Sequence, residues 1–138
     1  MKVFVDTNIL IDVLARREGF YEASSNILNL GIIGKTSLFT TSLSFATTSF
    51  VVRKVLGYKN TILALQELER FMKIAPMDAT QCHRALHAPM PDFEDMLQYE
   101  AASTAQCDVI ITRNVKHFPE GAIKIMTPVD FLSSHYCP

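Results

Sequence analysis

The feature that most constrains this chain is a short apolar run, Val3-Phe4-Val5, that stops at a carboxylate, Asp6. β-Favouring residues in an unbroken run, with no polar alternation, fit a strand buried on both faces, as at the centre of a parallel sheet. From Ile9 the spacing changes: Ile9, Leu10, Val13 and Leu14 fall on one side of a helix. Asp6 therefore stands at the carboxyl end of a central strand. In open α/β sheets that edge is where ligands gather, because the loops there leave a crevice bordered by helix N-termini. A second role fits the same residue, since Asp6 or Thr7 can cap the helix by accepting hydrogen bonds from its free N–H groups. The site role gains weight only if other carboxylates converge on that crevice.

The rest of the chain repeats the alternation. Residues 8–17 read as a helix broken by Gly19, and 20–33 as a second, with Gly31 and Gly34 as stop signals. A strand at 37–41 precedes a helix at 42–56, where Leu43, Phe45, Ala46, Phe50, Val51 and Val55 recur at helical spacing before Gly57. Helix 59–73 leads to a short strand at 74–77, placed at an edge because Pro76 cannot donate to a ladder. Asp78 caps a helix at 79–88, and Asp92 begins another that runs to about 106. Strands follow at 108–112 and 123–126, and a final helix starts with Pro128 at its first position. Strands alternating with helices predict one α/β domain over residues 1–138, with a mainly parallel sheet of about five strands.

A chain of 138 residues, 49% apolar and 20% charged, can build a hydrophobic core without disulfide or metal staples. Asp6 and Asp12 interrupt the N-terminal apolar residues, which argues against a signal peptide, and no apolar run approaches the length of a membrane span. A cytoplasmic protein without membrane contact is expected. Cys82, Cys107 and Cys137 are odd in number and lack C-x-x-C spacing, so reduced thiols are expected. A net charge of −1 argues against a broad basic surface for nucleic acid. Local contact with a polyanion would fall to Arg16-Arg17, Arg53-Lys54, or Arg113 with Lys116, each of which is more often just a solvated helix end.

Three polar groups are expected at one crevice: Asp6-Thr7-Asn8, Asp92-Phe93-Glu94-Asp95 and Thr112-Arg113-Asn114. Asp92 and Asp95 are three apart and share a helix face in its first turn, while Glu94 points elsewhere. Their mutual repulsion calls for a positive group, and a hard cation such as Mg²⁺ or Mn²⁺ prefers carboxylate, carbonyl and water oxygens. Capping explains Asp92 without any metal, and explains Asp95 less well. His83 and His87, with Cys82 beside them, have helical zinc spacing but no further ligand, and His117 and His135 have no triad context. Asn at position 8 argues against an aspartyl-phosphate enzyme with a second Asp there. Phe45, Phe50, Leu65 and Phe71 read as core or dimer surface rather than a cofactor pocket.

Val5-Asp6-Thr7-Asn8-Ile9-Leu10, then Asp92-Phe93-Glu94-Asp95-Met96-Leu97-Gln98-Tyr99, then Asp108-Val109-Ile110-Ile111-Thr112-Arg113-Asn114 with Phe118, resemble the PIN domain, particularly the VapC-type toxin ribonucleases. In order and spacing the resemblance covers essentially the whole chain. It implies a three-layer α/β/α sandwich, metal-dependent endoribonuclease activity on RNA, a homodimer and an antitoxin partner. It places the family's first acid on Asp6 and its third on Asp95. The second falls near Thr47 and the fourth on Asn114, so this chain lacks two of the four carboxylates. Under the resemblance Asp6 and Asp95 bind Mg²⁺ or Mn²⁺ with help from Asp92, Asn114 and Thr112 assist catalysis, and Asn8 and Arg113 contact substrate. The alternative is a module of the same fold that binds RNA or a protein partner without cutting.

Overall fold

The computed structural model describes residues 1–135, so Cys137 lies outside the described residues. Five parallel strands, β1 (Lys2–Val5), β2 (Ser37–Thr40), β3 (Met72–Ile74), β4 (Val109–Ile111) and β5 (Lys124–Met126), form one sheet in the order β3-β2-β1-β4-β5. β1 is central, as its unbroken apolar run predicts. It pairs with β2 through Phe4↔Phe39 and with β4 through Val5↔Ile111, and Val3, Phe4 and Val5 are all fully buried.

Successive strand residues point to opposite faces, so Val3 and Val5 join one core while Phe4 joins the other. The first core is covered by α1 (Thr7–Leu14), α2 (Tyr21–Ile32), α4 (Tyr58–Glu69) and α7 (Pro128–His135), through Ile9, Leu10, Ile27, Leu65 and Phe131. The second is covered by α6 (Phe93–Thr104) through Ala101 and Ala102, with α5 (Ala79–Leu86) packed against α6. The result is the three-layer α/β/α sandwich. α3 (Ser42–Leu56) packs against α1 and α4.

Several boundaries differ from the sequence expectation for local reasons. α1 stops at Leu14 because Arg16 turns left-handed (φ 49°) and the Arg17 N–H folds back to the Asp12 carbonyl at 3.0 Å. α4 ends at Glu69, which brings Met72 rather than Ile74 to the start of the third strand. Met72 is buried and pairs with Leu38, and the ladder closes where the Ala75 N–H donates to the Thr40 carbonyl at 2.7 Å. Pro76 follows that last bond, so its missing donor costs nothing, and β3 is an edge strand as expected. α6 ends at Thr104, and Gln106 takes φ 59°. A 3₁₀ turn at Val115–His117, unforeseen in the sequence, follows β4.

The buried residues of α3 are Ser44, Thr48 and Val52, not the expected apolar stripe. Leu65 enters the core, Phe45 and Phe71 pack against it, and Phe50 is 56% exposed. Among the described residues no helix is long and apolar enough to cross a membrane. Cys82 and Cys107 are free among the described residues.

Gly34 (φ 76°) carries the stop after α2, whereas Gly31 is there for closeness, since a Cβ would meet the side chain of buried Leu38, with its Cγ at 2.7 Å. Gly→Ala inside a helix ordinarily stabilises by about 1 kcal/mol. Here overpacking reverses the sign: Gly31→Ala is expected to lower stability by about 1–2 kcal/mol in urea denaturation, and an increase would contradict this packing.

Candidate active site

Capping and site chemistry meet in the same Asp6 side chain. Its Oδ1 accepts the Thr7 N–H at 2.7 Å and so caps α1. Its Oδ2 accepts the Thr112 hydroxyl at 2.8 Å and the Asn8 amide at 3.2 Å. Thr112 follows β4, the neighbour of β1, so parallel pairing carries both groups to the same sheet edge. The Asn114 N–H donates to Thr112 Oγ1 at 3.0 Å, while Asn114 itself is exposed. Thr112 and Asn8 thus hold the carboxylate, and Asn114 supports Thr112 through its backbone.

Asp95, in the first turn of α6, is buried, and its carboxylate oxygen lies with those of Asp6 and Glu94, all within 4.8 Å of one another. The expectation that Glu94 points away is corrected here. Asp92 is the cap of α6 and not part of its helix, accepting the Asp95 N–H on Oδ1 at 2.9 Å, so Glu94 and Asp95 open the helix side by side. Glu94 is then held by Gln98, one turn on, whose amide reaches its Oε1 at 3.1 Å. Asp92 groups with Asp95 and His117 rather than with Asp6 and Glu94.

His117, set aside in the sequence for want of a partner, has its Nδ1 2.8 Å from Asp95 Oδ2. The signal that could have found it is its position just past the end of β4, where the 3₁₀ turn swings it toward α6. By contrast, the rings of His83 and His87 face each other 4.5 Å apart, and both possible metal-ligand groups among the described residues include Asp95.

Between α1, α3 and α6 the interior holds a neutral polar network. Gln98, fully buried, shares its amide N–H groups among Ser44 Oγ (2.8 Å), Thr7 Oγ1 (3.1 Å) and Glu94, and its Oε1 accepts the Thr41 hydroxyl at 2.9 Å. Thr47 is half-buried one turn beyond Ser44. Arg113, expected to meet phosphate, makes a two-pronged ion pair with fully buried Asp12, through Nε at 2.7 Å and Nη2 at 3.0 Å. Nothing in the sequence singled out Asp12 as that partner.

Burial pushes the Asp6 carboxyl up to about 7, opposed by the Thr112 hydrogen bond and reinforced by the charge of Asp95. Burial likewise raises Asp95 to about 6, opposed by its bond with His117 and reinforced by Asp92 and Glu94. Three oxygen ligands with mutual repulsion suit a hard divalent cation, which would offset the cost of keeping them ionised.

The stability linkage has a definite sign. Both groups hold protons in the fold that the unfolded chain releases above its ordinary value of 3.8, so the stability involved is complete below that value and is lost as pH rises through about 6 and about 7. In chelator, melting temperature is expected to fall as pH rises from about 4 to about 7 and to level off above that, and Asp6→Asn to flatten that fall, gaining on the order of 2 kcal/mol at the upper end. An Asp6→Asn profile parallel to the wild type would remove Asp6 as the cause.

Similarity to other proteins follows the same geometry. Ribonuclease VapC1 from Aquifex aeolicus is 27% identical over 135 residues, covering 94% of this chain and 92% of that one. A toxin–antitoxin complex from Klebsiella pneumoniae superposes with a TM-score of 0.69 at 21% identity, covering 91% of this chain and 97% of that one. Mycobacterium tuberculosis VapC20, a toxin that cleaves the sarcin–ricin loop, has a TM-score of 0.62 at 11% identity over 78% of this chain and 86% of that one. The PIN domain sequence model matches residues 2–116, a span that holds β1 to β4 and every carboxylate of the cluster, and on that match the chain belongs to the PIN domain family.

Proposed function

We infer that this chain is a metal-dependent endoribonuclease that hydrolyses RNA phosphodiester bonds, and that it is the toxin of a toxin–antitoxin pair. The observation that carries the reading is the meeting of Asp6, Glu94 and Asp95 oxygens within 4.8 Å at the carboxyl edge of the sheet. Similarity to Ribonuclease VapC1 and to toxin–antitoxin structures supports it.

Asp6 and Asp95 would hold the cation, Mg²⁺ or Mn²⁺, with Glu94 beside them and Asp92 in reserve on the His117 side. Such a cation lowers the pKa of a bound water and offsets charge developing on phosphate. The chain's own residues do the positioning. Thr112 and Asn8 fix Asp6, His117 fixes one oxygen of Asp95, and Gln98 turns Glu94 inward. Asn114 and Asn8, at the sheet edge, would orient water or phosphate, and Arg113 would border the RNA. The exposed apolar residues Phe50, Val55 and Tyr58 of α3 and α4 suit burial in a homodimer or an antitoxin complex.

Thr47 and Asn114 favour the alternative, a binding module that has lost acids. Glu94 weighs against it, because it returns a carboxylate to the cluster. The test is cleavage of a single-stranded RNA panel with Mg²⁺ or Mn²⁺ by the wild type and by Asp95→Asn purified identically. Metal-requiring cleavage that drops at least about 100-fold in the variant is expected. Equal activity in both would expose a contaminant, and a folded, silent wild type would sink the enzyme reading.

A further inference from the structure

A cleft of about 470 Å³ lies between the start of α2 and the start of α7, and Phe20, Ser24, Arg113 and Pro128 are among the residues that line it. That size suits a small organic ligand. Phe20 is 44% exposed although aromatic, and the Arg113 guanidinium carbon sits 4.1 Å from its ring centroid. The ion pair with Asp12 holds Arg113 in that pose. Ser24 is 1% exposed, yet its Oγ has no hydrogen-bond partner. Gly19 leaves room at the mouth, since a Cβ there would meet nothing within 4 Å.

The surrounding turn interleaves cations with rings. Arg16 lies 5.6 Å from the ring of Tyr21, which is 37% exposed, and Arg17, its side chain 42% exposed, shares Asp12 with Arg113 through an Nη1 3.8 Å from Asp12 Oδ1. Unpaired nucleobases stack on aromatic rings and on guanidinium planes, while arginines pair with the adjoining phosphates. A serine hydroxyl both donates and accepts, which suits a base edge or a 2′-hydroxyl.

The cleft is tied to the acid cluster by a short chain of contacts. The Arg113 N–H donates to Asn8 Oδ1 at 3.4 Å, and Asn8 donates to Asp6. Asn8 and Asp12 are one turn apart on α1, about 6 Å along its axis. A nucleotide in the cleft would therefore neighbour a phosphate at the carboxylates.

We propose that this cleft is a stacking subsite for one unpaired base of the RNA strand beside the cleaved bond, walled by Phe20 and Arg113 and completed by Ser24 Oγ. The proposal rests on the ribonuclease reading for its substrate, and it explains why Phe20 is presented to solvent on a fixed cation instead of entering the core. Arg17 meets the phosphate that follows the base.

The test reads binding apart from cleavage: fluorescence anisotropy of a short single-stranded RNA in chelator, with oligonucleotides carrying an abasic nucleotide at each position in turn. Phe20→Ala is expected to weaken binding about tenfold, and Phe20→Trp to retain it. One abasic position should cost the wild type the same factor and make Phe20→Ala no worse. Wild-type affinity in Phe20→Ala overturns the subsite, as does an equal loss on intact and abasic RNA. If Phe20→Ala does not fold, a large loss in Phe20→Trp also overturns it. RNA binding through Phe20 without cleavage in Mg²⁺ or Mn²⁺ leaves the subsite standing and removes the nuclease reading. Cleavage with an unchanged KM in Phe20→Ala removes the subsite alone.

Discussion

The fold and the site both depend on one buried carboxylate. Asp6 lies at the end of the central strand, 2% exposed, and ionising a group there costs several kcal/mol unless donors surround it. Three donors do: the start of α1 through Thr7, the same helix through Asn8, and the end of β4 through Thr112. Hydrogen bonds to a charged group contribute about 1.5–3 kcal/mol each, which offsets part of the burial, and the nearby carboxylates add to what is left. The remaining imbalance is what raises the Asp6 carboxyl toward 7. A site held this way attracts either a proton or a cation, and pH decides between them.

Beside the carboxylates the interior is built from neutral polar groups. Gln98 gathers Thr7, Ser44 and Thr41 from α1, α3 and the loop before it, so the region where these elements meet is neutral and hydrogen-bonded. Its remaining contact goes to Glu94, which brings negative charge from the first turn of α6. Two adjacent residues of one helix therefore supply two carboxylates. Their spacing is fixed by a single element, and their separation from Asp6 by how α6 packs on the sheet.

Sheet centrality was legible because it depends on burial, and burial shows in uninterrupted apolar runs such as Val3-Phe4-Val5 and Val109-Ile110-Ile111. Glycines and capping residues marked most helix ends for equally local reasons. The third strand was displaced because residues 70–73 continue a helical apolar rhythm, and only pairing with β2 makes Met72 a strand residue. Asp6 and Asp95 were legible as candidates from strand-end and helix-start positions. Glu94 and His117 were not, since a glutamate's reach and a turn's direction are set by partners distant in sequence. In the sequence Asp12 counted only as a charge among the N-terminal apolar residues, and only the fold shows that it is fully buried beneath Arg113.

The strand order has a consequence for how such a chain comes into being. Asp6 and the Thr112 hydroxyl that steadies it are 106 residues apart, and β5 must still be made before β4 is flanked on both sides. Long-range parallel pairing is slow because loop-closure entropy must be met before any contact repays it. A growing chain therefore carries Asp6 long before Thr112, and the arrangement around it closes only when nearly all of the domain has left the ribosome. Synthesis itself thus postpones completion of the carboxylate site until the last layer is in place.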